Sequence, residues 1–135
     1  MTQEMHTAAT LRRPKEYHLF DVPLVSIDLQ QYFELIRMGQ KWIDSDRNAI
    51  TIFRSKFMRM VLIALHQGAS LYRHLATGMV TIQALEGQIV IDTDEQSILL
   101  CKGQILALHE GVQHSVLAKE EAVFLLTITD PVMKM

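Results

Sequence analysis

Short apolar runs, separated by glycine and polar residues, dominate the chain from residue 68 onward. Glycine adopts backbone conformations that other residues avoid, so the glycines predict turn and bulge positions at Gly68, Gly78, Gly87, Gly103 and Gly111. The intervening runs are of strand length and rich in Val, Ile, Leu and Thr: Met79–Leu85, Gln88–Asp92, Ser97–Leu100, Gln104–Leu108 and Gln113–Leu117. Closely spaced strands without helical intervals predict an all-β fold with antiparallel pairing, closed as a sandwich or barrel.

Three further segments are predicted as strands: Ala49–Phe53, Phe57–His66 and Ala122–Thr129. Residues of a strand point alternately to its two faces, and both faces of Phe57–His66 are largely apolar. We therefore expect this strand to be covered by a second sheet on one side and by a helix or another subunit on the other. In the run after Gly78, the same alternation directs Val80, Ile82 and Ala84 towards a core.

One helix is predicted, from Ser26 to Met38. Ser26 or Asp28 can cap its free N–H groups, and Gly39 follows its end. A stripe spaced i, i+3, i+4 and i+7 makes one face apolar, with Leu29, Tyr32, Phe33 and Ile36. Such a helix packs on the outside of the sheets, or it presents that face to a partner.

Length and composition predict a single domain. The 135 residues divide into a flexible tail (1–15), an arm with a strand and the helix (16–48) and the barrel (49–131). A net charge of −2 without charge runs argues against nucleic-acid binding. The lack of a long apolar segment argues against membrane insertion. Cys101 is the only cysteine, which excludes an internal disulfide, and we expect a cytoplasmic protein.

Two stretches combine glycine and histidine at fixed spacing: Gly68-x5-His74-x-Ala76-x3-Val80-x6-Gly87 and Gly103-x5-His109-x-Gly111-x2-His114-x3-Ala118. They resemble the two motifs of the cupin superfamily. The first is similar to G-x5-H-x-H-x3,4-E-x6-G, and the second is similar to G-x5-P-x-G-x2-H-x3-N. The resemblance is to small single-domain bacterial cupins of unassigned function. It implies a jelly-roll barrel of the RmlC-like type and a homodimer in which subunits exchange an N-terminal strand.

The departures from these motifs affect the metal site that the resemblance implies. His74 and His114 stand at two of the four ligand positions, whereas Ala76 and Val80 replace the second His and the Glu. Two imidazoles can hold a divalent ion such as Zn, Ni, Fe or Mn, but a functional site requires at least one more ligand. His66 and His109 are candidates for that ligand.

The resemblance and the substitutions together predict a ligand pocket in the bore of the barrel. Val80 removes the anionic ligand and makes the bore more apolar, which suits a small, mostly apolar ligand with one polar group. The predicted pocket residues are His74, Ala76, Val80, Ile82, Ala84 and His114. Three functions follow as hypotheses. The first is a non-enzymatic small-ligand-binding barrel with an incomplete metal site. The second is a metal-dependent dioxygenase or isomerase that uses His74, His114 and a further ligand, and the third is a structural or partner-binding protein whose barrel interior is filled.

Overall fold

The computed structural model describes residues 23–74 and 77–129, without the side chains of Arg73 and His74. Two short helices, α1 (Leu29–Ile36) and α2 (Gln40–Asp44), precede nine strands. The strands are β1 (Arg47–Arg54), β2 (Met58–Leu65), β3 (Ser70–His74), β4 (Val80–Glu86), β5 (Gln88–Thr93), β6 (Ser97–Cys101), β7 (Ile105–Leu108), β8 (His114–Ala118) and β9 (Ala122–Thr129). No helix in the described part of the chain is long and apolar enough to cross a membrane.

The strands form two antiparallel sheets that enclose the main core. The five-stranded sheet has the order β1-β2-β9-β4-β7, and the four-stranded sheet has the order β3-β8-β5-β6. Alternate residues of β4 point into the space between the sheets, so Val80, Ile82 and Ala84 are buried there as the alternation predicts. Phe124 of β9 and Ile89 of β5 pack in the same cluster.

Strand β2 is buried on both faces, as its sequence predicts. Ile63 and Leu65 pack in the core between the sheets, whereas Leu62 and Ala64 belong to a second cluster on the outside of the five-stranded sheet. That second cluster also holds Tyr32 and Ile36 of α1 and Trp42 of α2. The apolar stripe of α1 therefore packs against the outside of the five-stranded sheet, as the first of the two predictions for this helix has it.

Side-chain hydrogen bonds cap both ends of α1. The Asp28 carboxylate accepts from the backbone N–H of Gln30 at 3.1 Å and so caps α1. At the other end of α1, the buried Asn48 side chain donates to the carbonyl oxygen of Ile36 at 2.9 Å. Asn48 satisfies a carbonyl that the helix itself leaves free.

Several predicted boundaries differ from the structure. Strand β1 begins two residues before the predicted start at Ala49, because Arg47 and Asn48 already pair with β2. Strand β3 was not among the predicted strands, and α2 was not a predicted helix. The N-terminal strand was predicted over Tyr17–Val25, but its described residues 23–25 are not in a strand. Residues 17–22, the predicted tail and the end of the barrel segment at residues 130 and 131 lie outside the described residues.

Candidate functional site

A cavity of about 350 Å³ opens at one end of the space between the sheets. Its wall is mainly apolar because the ends of β2, β4, β8 and β9 direct hydrocarbon side chains inward. Three polar residues interrupt this surface: Arg59 of β2, Thr77, and His114 of β8. The full lining comprises Arg59, Ile63, Leu71, Thr77, Val80, His114, Val116, Phe124, Leu126 and Ile128.

His114 is a buried polar group in the cavity wall. Its side chain is only 5% exposed, and its Nδ1 lies 3.2 Å from the carbonyl oxygen of Val112. With the proton on Nδ1, the imidazole donates to this carbonyl, which fixes the orientation of the ring. A buried imidazole in an apolar cavity can serve as the polar contact for a ligand.

Of the other predicted pocket residues that the structure describes, only Val80 lines the cavity. Val80 lines the cavity and is 3% exposed, whereas Ile82 and Ala84 lie deeper in the packed core and do not line it. The backbone of His74 pairs directly with that of His114 across β3 and β8. Ala76 and the His74 side chain lie outside the described residues.

Neither candidate for a third metal ligand lies at the cavity. The His66 ring stacks on Trp42 with 3.6 Å between ring centroids, and its Nε2 lies 2.9 Å from the Trp42 carbonyl oxygen. This places His66 beside the helices, outside the cavity lining. His109 is exposed and does not line the cavity either.

The described donors do not complete a metal site. Within residues 23–74 and 77–129, no three His, Cys, Asp or Glu side chains that are described come together as a metal-binding group. Val80 presents hydrocarbon where the cupin motif has a carboxylate, and Ala76 has no donor atom. Even with His74, the motif positions supply two imidazoles, fewer than the three protein ligands usual at catalytic zinc.

A second cavity, of about 290 Å³, adjoins the mouth of the first. The two cavities share Arg59, Thr77 and Ile128 as lining residues. Arg54 and Lys56, from the end of β1 and the turn after it, also line the second cavity. The apolar bore therefore opens onto a basic surface, which no cupin motif position indicated. Arg59 was detectable in the sequence as the only charged residue of the apolar run in β2.

Comparison with solved structures shows which fold this is. A cupin-2 domain protein from Shewanella frigidimarina matches with a TM-score of 0.62 and 21% identity, over 77% of this chain and 94% of that one. A conserved protein of unknown function from Streptococcus pyogenes matches with a TM-score of 0.66 and 22% identity, over 85% and 95%. A mutant of salicylate 1,2-dioxygenase from Pseudoaminobacter salicylatoxidans matches with a TM-score of 0.58 and 17% identity, over 66% of this chain and 28% of that one.

These likenesses show that the chain has the cupin fold, as its glycine and histidine spacing predicts. At such identities they show the fold alone, and the proteins that share it include an enzyme as well as proteins of unassigned function. No protein-family model matches the chain, and no curated protein matches it. The functional assignment therefore depends on the cavity and its residues.

Proposed function

We propose that this protein is a small-ligand-binding cupin barrel that acts without a complete metal site. The observation that carries the proposal is the apolar cavity of about 350 Å³ with the buried His114 in its wall. Its volume falls in the range of small-molecule sites, which combine apolar walls with a few polar groups that fix the orientation of the ligand. Val80 supports this reading because it extends the apolar wall at a motif position that would otherwise supply a metal ligand.

The alternative is a metal-dependent cupin enzyme of the dioxygenase or isomerase type. It would use His74 and His114 together with a further ligand that is not identified among the described residues. The observation that favours it is the register of β3 and β8, which pairs the backbones of His74 and His114. The structural match to part of salicylate 1,2-dioxygenase also supports it, because that protein is an enzyme.

Native mass spectrometry combined with elemental analysis separates the two functions. For protein purified without chelator, we expect less than about 0.1 divalent ion per chain, since two imidazoles make a weak site. We also propose a homodimer, because β6 and β7 are sheet edges with no further strand beside them among the described residues, and such edges tend to be covered. A cytoplasmic location, which we propose as well, is consistent with the single Cys101. The same spectrum should then show a particle of two chains.

One ion per chain would favour the enzyme, provided that the ion occupies the motif positions. His114→Ala and His74→Ala should each remove it, while His109→Ala at the exposed position should leave it bound. Metal that stays bound in both motif variants would show binding elsewhere on the protein. A particle of one chain would contradict the homodimer without affecting the choice between binding and catalysis.

A further inference from the structure

We propose that the ligand is a small organic carboxylate whose anionic end binds Arg54 and Arg59 at the mouth of the cavity and whose apolar body enters the bore. This inference rests on the proposed binding function and adds the chemical class of the ligand. The two adjoining cavities supply both halves of the site, one basic and one apolar, with Arg59, Thr77 and Ile128 as their common wall.

The register of the five-stranded sheet places the two arginines next to the apolar wall of the cavity. Arg54 pairs with Arg59 across β1 and β2, Arg59 pairs with Ile128 across β2 and β9, and Ile128 pairs with Val80 across β9 and β4. Directly paired residues of neighbouring strands lie on the same face of a sheet. These four residues therefore form one row across the sheet, with two arginines at one end and the apolar wall of the cavity at the other.

The pairing of two arginines is unfavourable without an anion. Like charges directly opposite each other in a sheet destabilise it. Lys56, in the turn that joins the two strands, adds a third positive charge to the same cavity. A carboxylate between the guanidinium groups would offset this repulsion and accept charge-assisted hydrogen bonds from Arg59, whose planar fork matches two carboxylate oxygens.

Arg37 and Arg47 have carboxylate partners, whereas Arg54, Lys56 and Arg59 have none among the described residues. Arg47 Nε donates to Asp46 Oδ1 at 2.8 Å, and this hydrogen bond lowers the pKa of the Asp46 carboxyl group. Arg37 Nη2 donates a hydrogen bond to Glu86 Oε1. Arg37 Nε also forms an ion pair with Glu121 Oε2 at 3.2 Å, although the two groups are not aligned for a hydrogen bond. No ion pair within residues 23–74 and 77–129 involves Arg54, Lys56 or Arg59.

The cavity also limits the size of the ligand. Since a water molecule occupies about 30 Å³ of the liquid, the cavity of about 350 Å³ has the volume of roughly a dozen water molecules, which is enough for a small organic molecule. 3-Phenylpropionate is of this size and carries one carboxylate on an apolar body. Its amide, 3-phenylpropionamide, has nearly the same shape without the charge, and the two compounds form a matched pair of probes.

Titration calorimetry with both probes tests the proposal. We expect 3-phenylpropionate to bind roughly tenfold more tightly than the amide, as one charge-assisted hydrogen bond implies. The ratio should shrink when the ionic strength rises from about 0.02 M to about 0.5 M, because the basic residues are exposed and their attraction is screened. NMR of the His114 imidazole during the same titrations reports whether the bound probe reaches the bore.

Arg59→Gln should remove the preference for the carboxylate and leave the affinity for the amide within about twofold. Lys102→Gln is the matched control, since it makes the same change of charge in the turn between β6 and β7, away from either cavity lining. The midpoint of thermal unfolding of free Arg59→Gln should be unchanged or higher than that of the wild type, because the repulsion with Arg54 is removed.

The possible outcomes are distinct. Equal affinities for the two probes, unchanged in Arg59→Gln, would overturn the carboxylate proposal but leave the binding pocket intact. Failure of both probes to bind or to shift the His114 signals would contradict the binding function and this inference together. A lower unfolding midpoint for Arg59→Gln, with that of Lys102→Gln unchanged, would indicate that Arg59 contacts a group of the protein itself and would also contradict the proposal.

Discussion

Phe124→Ala is expected to lower the free energy of unfolding by about 3–5 kcal/mol, through lost apolar burial and the void that remains. Phe124 is only 1% exposed and packs in the core between the two sheets while its side chain also lines the cavity. Chemical denaturation followed by tryptophan fluorescence measures the loss. Trp42 lies in the outer cluster and reports on the loss of packing around the helices.

Phe57→Ala is the matched control, because it makes the same truncation where the side chain is 41% exposed. Its effect should stay within about 0.5 kcal/mol. If both variants lost the same small amount, Phe124 would not be a core residue, and the arrangement of β9 between β2 and β4 would be wrong.

Gly87→Ala should destabilise the protein by about 2–5 kcal/mol, from two separate costs. Gly87 has φ of +76°, a left-handed conformation that costs a residue with a Cβ about 1–2 kcal/mol. An added Cβ would also lie 2.2 Å from the carbonyl oxygen of Glu121, so the backbone would have to move, with a further strain of about 1–3 kcal/mol. The contact matters because it brings the β4–β5 turn against the start of β9.

Gly103→Ala separates the two costs. Gly103 has φ of +88°, but a Cβ there would meet no atom within 4 Å. We expect a loss of about 1–2 kcal/mol from the conformation alone. Equal losses for the two glycines in thermal or chemical unfolding would contradict the close approach at Gly87.

Most of the fold was predictable because its strands are short apolar runs bounded by glycine. β9 was predicted with its observed bounds, and β2 was predicted to be covered on both sides. β3 was not, because Ser70–His74 mixes polar and apolar residues and forms a strand only by pairing with β8. The five residues of α2 are too few to show a helical period, and Trp42 holds them by packing on the sheet.

The candidate site was less predictable than the fold. Motif spacing indicated His114 and Val80, and both line the cavity. Ile82 and Ala84 lie on the same face of β4 as Val80, but other core side chains pack around them. Alternation along a strand shows which residues face the interior, and it does not show whether that part of the interior is packed or is a cavity. Ile128 and Leu126 enter the wall from the last strand, far away in sequence, because β9 inserts between β2 and β4. The basic mouth likewise depends on the pairing of β1 with β2.

The central claim is that the end of the barrel holds a pocket for a small molecule rather than a filled core. Methyl NMR with 3-phenylpropanol, which has an apolar body and one neutral polar group, tests it most directly. Saturable shifts should occur together at the methyl groups of Ile63, Val80 and Leu126 and at the His114 ring, all of which line the cavity. Val116→Phe narrows the cavity and should abolish the shifts, whereas Val90→Phe, on the other face of the same sheet, should preserve them. Shifts that are absent, or confined to exposed residues such as Leu99, would contradict the claim.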